Sequence, residues 1–189
     1  MRALVLAVGL AVGLFACTPA QVPPPPSRDP APQPVNPDIQ QDVTGAAPSS
    51  VVHDKAGGTV DLATVWAGKR VLLVFYMGHW CPHCQKQLGE LEAHVGEFAQ
   101  HGTTIVAVST DTPEDIAALV AKLGLTFDVY SDTDLQTIGK WGVADYGANV
   151  AKPASFVIQP GGTITFRKIG EGDQAPTVDE LLAATGSAG

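Results

Sequence analysis

The sequence predicts an α/β fold, a three-layer α/β/α sandwich with a central mixed β-sheet. Three observations carry this expectation. Residues 71–76 are six consecutive apolar side chains, and residues 104–109 read Thr-Ile-Val-Ala-Val-Ser; both have the length of strands covered on both faces. Each is followed by a stretch whose apolar residues recur at helical spacing, the alternation that builds parallel sheets with helices on their faces. Near the C-terminus, Pro160-Gly161-Gly162 separates two strand-like segments, which adds an antiparallel hairpin.

In chain order, Val51-Val52-His53 and Thr59-Val60-Asp61 flank Lys55-Ala56-Gly57-Gly58 and read as a hairpin, followed by a short helical turn over 62–66. The strand at 71–76 leads into a helix expected over 82–101. Cys84, Leu88, Leu91, Val95 and Phe98 line one face of it, and Pro82 suits its first turn, where no intrahelical N–H is needed. After the strand at 104–109, Thr112 precedes Pro113, Glu114 and Asp115, a helix start, and Gly124 is its stop. A strand over 126–130, a helix over 134–141 and a loop over 142–152 follow. Strands at 154–159 and 163–169 close the sheet, and Thr177-Val178-Asp179-Glu180 is a capping box for a last helix.

The chemistry concentrates at His79-Trp80-Cys81-Pro82-His83-Cys84. A strand, a turn and a Cys-x-x-Cys pair place Cys81 where a helix begins. Backbone N–H groups are unpaired there and peptide dipoles leave partial positive charge, which favours a thiolate, the reactive form of cysteine. Cys84 falls one turn on, in line with Leu88 and Leu91, so it is expected to be the more buried of the two. A permanent structural staple is the bland alternative; so small a loop gives little entropic gain.

The N-terminal part is a different material. Arg2 precedes an apolar run over 3–16, the length of a signal-peptide core and too short for an ordinary membrane span. Residues 18–50 hold ten of the fifteen prolines and few apolar residues. Such a segment is expected to be a semi-extended tether reaching at most about 100 Å at roughly 3.1 Å per residue. The expected domains are therefore a leader over 1–17, a tether over 18–50 and one globular domain over 51–186. The net charge of −8 argues against nucleic acid and anionic membrane surfaces as partners, since both need clustered Lys and Arg.

The leader's end, Leu14-Phe15-Ala16-Cys17, resembles the bacterial lipoprotein signal. The resemblance implies lipidation at Cys17 and a membrane-anchored protein facing the periplasm or the cell exterior. The rest, about residues 51–184, resembles the thioredoxin-like superfamily, in its alkyl hydroperoxide reductase/thiol-specific antioxidant (peroxiredoxin-like) branch. The segments that carry it are Phe75-Tyr76-Met77-Gly78-His79-Trp80-Cys81-Pro82-His83-Cys84, Val106-Ala107-Val108-Ser109-Thr110-Asp111 and Lys152-Pro153-Ala154-Ser155-Phe156-Val157-Ile158. It implies a thioredoxin-like sandwich, with Pro153 as a cis-proline facing the cysteines and docking substrate.

Two activities stay open. In thiol–disulfide exchange, Cys81 is the attacking nucleophile and Cys84 resolves the mixed disulfide, with protein thiols or small thiols as partners. In a peroxidase of the family, a Thr or Ser three residues before the peroxidatic cysteine, a Pro four before that and a distant Arg position the peroxide. With Cys84 in the peroxidatic place, those two near positions hold Cys81 and Met77; with Cys81, they hold Gly78 and Val74. Pro153 stands where the Arg belongs, so the dithiol reading leads.

Pro82, His83 and Trp80 are expected to tune the pair. The Pro-His dipeptide resembles that of DsbA-type oxidants, whose potential lies near about −120 mV against about −270 mV for thioredoxin. Trp80 is expected to cover the thiols. Thioredoxin's buried acid has no counterpart, because Phe75 holds its place, and no role is assigned to His79. No metal site is expected, since zinc usually takes four ligands and there is no second Cys pair or spaced His pair. No phosphate loop or flavin fingerprint appears, so no cofactor is expected.

Overall fold

The computed structural model describes residues 45–170 and 175–186. The leader, Cys17 and residues 18–44 of the Pro-rich stretch lie outside the described residues.

Strands β1 (Val51–His53) and β2 (Thr59–Asp61) form the expected hairpin. Asp54 closes it, accepting the N–H groups of Ala56 and Gly58 at 2.8 Å each. A 3-10 turn at Leu62–Thr64 follows, capped by Asp61. Then come β3 (Arg70–Phe75), α1 (Pro82–Ala93), α2 (Val95–Gln100), β4 (Thr103–Ser109), α3 (Pro113–Leu123) and β5 (Asp128–Ser131). The chain continues through α4 (Gln136–Lys140), β6 (Ala144–Asp145), β7 (Val150–Ala151), β8 (Ala154–Ile158), β9 (Ile164–Ile169) and α5 (Val178–Gly186).

The main sheet runs β2-β1-β5-β4-β3-β8-β9. Its β3–β4 and β4–β5 pairs are parallel and the others antiparallel, the mixed pattern expected. β3 lies near the middle, and the side chains of residues 71–75 are fully buried. Strand alternation sends Val71, Leu73 and Phe75 to one face and Leu72 and Val74 to the other. The first face packs on Leu62, Trp66, Ile138, Trp141 and Phe156. The second packs on Leu88 and Leu91 of α1, Phe98 of α2, Ile116 and Leu119 of α3, and Leu181 of α5.

The expected starts and stops of α3 and α5 are present. Thr112 accepts the Asp115 N–H at 3.2 Å, and Gly124 ends α3 with φ 67°, in the left-handed region. Thr177 and Glu180 exchange bonds across the first turn of α5, with N–H···O distances of 2.9 and 3.3 Å.

Four features differ from the sequence expectations. The helix expected over 82–101 is two helices broken at His94. Its Nδ1 lies 2.8 Å from the Glu90 carbonyl, the acceptor a continuing helix would reserve for the His94 backbone N–H, and that N–H turns to Leu91 O instead. The globular fold begins before residue 51. Ala46 bridges Thr163, the Ala47 N–H donates to Gly162 O at 2.7 Å, and buried Ser50 accepts the Trp141 indole N–H at 2.9 Å. The loop over 142–152 contains the β6–β7 hairpin.

The fourth difference concerns Pro153. The described residues contain no cis peptide bond, so the expected cis-proline is trans. The chain on both sides is extended and already tied: Lys152 donates its N–H to Val143 O at 2.7 Å, and Pro153 O accepts from Gly170 at 2.7 Å. An extended residue before proline suits the trans form, which is intrinsically favoured by about 0.5–1 kcal/mol, and no reversal here demands the other isomer.

Candidate active site

β3 and β4 run parallel and end together, with Phe75 opposite Val108. Ends of parallel strands are where α/β sheets place their sites, because the loops there can converge while the sheet stays rigid. Tyr76 continues β3, donating its N–H to Val108 O at 3.1 Å. The loop through Met77, Gly78, His79 and Trp80 then delivers Cys81 as the N-cap of α1.

Cys81 caps its helix with sulfur. It has extended backbone angles (φ −81°, ψ 115°), and its Sγ accepts the Cys84 N–H at 3.3 Å. Pro82 occupies the first turn, as expected. The Cys84 thiol points back at its partner, with the two sulfurs 2.7 Å apart. Both cysteines are free thiols, and both are buried, Cys81 at 4 % and Cys84 at 5 % exposure. The expected difference in depth is therefore absent. What separates them is the S–H: backbone N–H groups reach both sulfurs, but Cys84 also donates its own proton to Cys81. Burial first, and then that hydrogen bond, push the Cys84 thiol up to about 12, against the opposing backbone N–H groups of Met77 and Gly78.

Trp80 is 57 % exposed and forms a solvent-facing aromatic surface next to Cys81 in the chain. Its indole leans over Gly78 so closely that a Cβ there would sit 2.6 Å from Nε1. His83 is exposed on α1 and lines an open groove of about 700 Å³ with Lys86, Glu90, His94 and the start of α5. Pro153 is buried one residue beyond the Phe75–Ala154 pair, at the sheet end from which the cysteine loop emerges.

The loop is pinned by a residue to which the sequence assigned no part. Asp111, 6 % exposed, accepts the His79 backbone N–H at 2.8 Å and the His79 Nδ1–H at 2.8 Å. Ser109 donates its hydroxyl to the same carboxylate at 2.8 Å, and Ser131 donates to the Asp111 carbonyl at 2.7 Å. His79 Nε2 lies 3.9 Å from Asp115 of α3. Gln85 donates to the His79 carbonyl at 2.6 Å and accepts from Lys122 at 2.8 Å, tying the loop to α1 and α3. The Ser-x-Asp at the end of a parallel strand was the available signal. Its partner stands 32 positions away, and nothing in the residue spacing joins them. Among the described residues, no three His, Cys, Asp or Glu side chains are grouped to hold a metal ion.

A Cys-x-x-Cys pair at a helix start, behind the central strand of a mixed sheet, defines a thioredoxin-fold thiol protein. The chain belongs to the AhpC/TSA family, whose model matches residues 43–167. A Mycobacterium tuberculosis protein named as a candidate peroxiredoxin is 33 % identical over 124 residues, covering 62 % of this chain and 78 % of that protein. The thiol-disulfide oxidoreductase ResA of Bacillus anthracis is 33 % identical over 127 residues, covering 66 % and 68 %. Among solved structures, peroxidoxin BcpB of Mycobacterium tuberculosis superposes with a TM-score of 0.68 at 21 % identity, over 75 % of this chain and 94 % of that one. The fold is thus of the peroxiredoxin type, and the relatives are oxidoreductases of both kinds.

Proposed function

We propose that this protein is a thiol–disulfide oxidoreductase in which Cys81 attacks and Cys84 resolves. The observation that carries the reading is the pair itself, two free sulfurs 2.7 Å apart with Cys81 capping its helix. A thiolate at Cys81 attacks a partner disulfide, releases one thiol and leaves a mixed disulfide. Cys84 then attacks Cys81, closing the Cys81–Cys84 bond and releasing the second thiol. The substrate gains the two electrons that the dithiol loses. Pro82 and His83 lie between the two sulfurs in sequence and Trp80 beside them, where each can adjust potential and docking. Partners are proteins or small molecules bearing thiols or disulfides.

The peroxiredoxin names among the relatives favour a second activity, reduction of a peroxide by Cys81 followed by condensation with Cys84. It ranks lower because the near positions expected to hold the peroxide are occupied by Cys81 and Met77, or by Gly78 and Val74, and Pro153 replaces the Arg. The two readings separate on purified reduced protein. Insulin disulfide reduction that disappears in Cys81→Ser, without turnover of hydrogen peroxide, is the expected result. Rapid catalytic peroxide consumption lost in the same variant would make the peroxidase the main activity. Electron-flow direction follows from the potential of the pair in a glutathione buffer, near about −120 mV for an oxidant and about −270 mV for a reductant.

We also propose that the protein works outside the cytoplasm, carried by a lipid on Cys17 and a Pro-rich tether. The mass of the mature N-terminus tests this: an unmodified Cys17, or a retained leader, refutes the anchor.

A further inference from the structure

The exchange proposed above requires Cys84 to become a thiolate, yet the site works against that. The thiol is buried, is raised to about 12, and has no basic side chain among its hydrogen-bond partners. Neither nearby histidine is among the groups that act on it; His79 is engaged by Asp111 and Asp115, and His83 lines the groove beside the start of α5.

Two hydroxyls on the thiol face, those of Tyr76 and Ser155, are buried without a full hydrogen bond, and Tyr76 is the one at the strand end where the cysteine loop leaves β3. The Tyr76 side chain is fully buried, and its hydroxyl completes no hydrogen bond of full geometry, although Ser109 and Asp111 lie close enough to act on it. A buried hydroxyl so poorly satisfied is costly and calls for a reason. Its placement follows from register. With Phe75 opposite Val108, Tyr76 and Ser109 are the next neighbours along β3 and β4. Alternation puts Tyr76 with Leu72 and Val74, and Ser109 with Ile105 and Ala107, on the face covered by α1, where Cys81 and Cys84 also pack. Ser109 holds the Asp111 carboxylate on this side. Four hydrogen-bonding directions are available to a carboxylate, and His79 and Ser109 take three of Asp111's.

We infer that the Tyr76 hydroxyl carries the proton that Cys84 must lose, passing it to the Asp111 carboxylate. Burial, and then the Asp111 charge, hold the phenol well above its ordinary pKa; Ser109 and Asp111 also act on it as hydrogen-bonding groups, and Cys84 acts through its charge. A phenol so placed does not store negative charge, but it can accept one proton as it gives up another. In the resolving step, the Cys84 S–H proton moves to the phenolic oxygen while the phenolic proton moves to Asp111. The Cys84 thiolate attacks Cys81 Sγ, the Cys81–Cys84 bond forms, the bond from Cys81 to substrate sulfur breaks, and the leaving thiolate takes up a proton from water. Asp111 then returns its proton to solvent. Tyr76 is the relay, and Asp111, itself held by His79 and Ser109, is the acceptor behind it. The titratable groups around them are Cys81 on α1, His79 in the loop and Asp115 on α3.

The inference rests on the dithiol reading, and one experiment separates the two. The reduced full chain is mixed with Ellman's reagent in a stopped-flow instrument. Attack by Cys81 releases one thionitrobenzoate, and resolution by Cys84 releases a second. Tyr76→Phe is expected to slow the second release at least about ten-fold at pH 7, with the first within about two-fold of wild type. The deficit should shrink as pH rises towards 10 and hydroxide replaces the relay. Asp111→Asn should slow the same phase, and the double variant should be no slower than the worse single one. A Tyr76→Phe protein whose second phase matches wild type, or lags by the same factor at every pH, overturns the relay and leaves the dithiol reading standing. A wild-type protein that releases only one equivalent overturns both. The first phase doubles as a test that each variant is folded.

Discussion

The two faces of the sheet bury side chains to similar depth but handle polar groups in opposite ways. On the face with α4, Trp141 meets its neighbours edge-on or tilted, at 4.8 Å from Phe156, 5.7 Å from Phe75 and 6.1 Å from Trp66. Its indole N–H is satisfied by Ser50, and the buried Asp132 accepts the N–H groups of Thr137 and Ile138. On the face with α1, two thiols, a phenol without a full hydrogen bond and a carboxylate shared among loops sit at the top of an otherwise aliphatic core. On the first face the Trp141 indole and the Asp132 carboxylate have their partners, as in a structural core. The other keeps proton-bearing groups incompletely matched, as a site that moves protons and electrons must. Stability should therefore respond to the first face and chemistry to the second.

Cys81→Ala is the sharpest way to break this division and has the largest expected effect. Disulfide exchange should vanish, while the loss of one small buried side chain costs only about 1 kcal/mol of stability. Insulin reduction together with urea denaturation reads both. Trp141→Ala is the mirror case. Removing the centre of the aromatic cluster should cost about 3–5 kcal/mol, and the protein that remains folded should still give both thionitrobenzoate phases. If Trp141→Ala slowed exchange in folded protein as much as it lowered stability, the two faces would not be separable.

These two variants also bear on how much the sequence could reveal. Cys81, Cys84 and the start of α1 were legible because local rules, an apolar strand and a helix of regular period, place them. The succession of strands and helices along the chain, the mixed sheet and the closing hairpin followed from alternation and turn residues. Asp111 was not legible as part of the site, since its bonds to His79 cross from one loop to another and leave no periodicity. The Ser50–Trp141 bond was hidden for a related reason: residues 45–50 have the small, polar and proline composition of a tether, and only tertiary contact turns them into part of the fold. Pro153 fails in the other direction. Its surrounding segment fits the family pattern, but isomer state depends on how Lys152 and Gly170 are tied, which the motif does not encode. The break at His94 came from a side chain competing for a helix carbonyl, an option invisible to the apolar pattern.

Gly78 lies where the reactive face is most crowded. A methyl group there would meet Trp80 Nε1 at 2.6 Å and Asp111 Oδ1 at 3.1 Å. Gly78→Ala should cost about 1–3 kcal/mol through overpacking and slow both thiol steps, because the loop carries Cys81. The exposed Trp80 ring can yield more easily than buried Asp111. In a Trp80→Ala background the stability cost should therefore fall by at least about half through coupling of the two sites. An unchanged cost would place the clash on Asp111 alone.

The smallest effect on the chemistry belongs to the other face, where the buried Asp132 carboxylate changes stability alone. Burial, with Asp134 adding to it and the Thr137 and Ile138 N–H groups opposing, raises Asp132 from 3.8 to about 6. The folded state therefore holds this proton more tightly than the unfolded chain. Its contribution to stability is complete below about pH 4 and is lost as pH rises through 6, a change of about 3 kcal/mol. Asp132→Asn cannot titrate and keeps only one of the two acceptors, so its stability should lie lower but lack this slope. Urea midpoints at pH 4.5, 6 and 7.5 for both proteins isolate the difference. Parallel curves would mean that Asp132 ionises as easily folded as unfolded, and that the helix N–H groups fully offset its burial. The redox phases should follow neither curve, because Asp132 lies across the sheet from the thiols and shares no hydrogen bond with Asp111 or Tyr76.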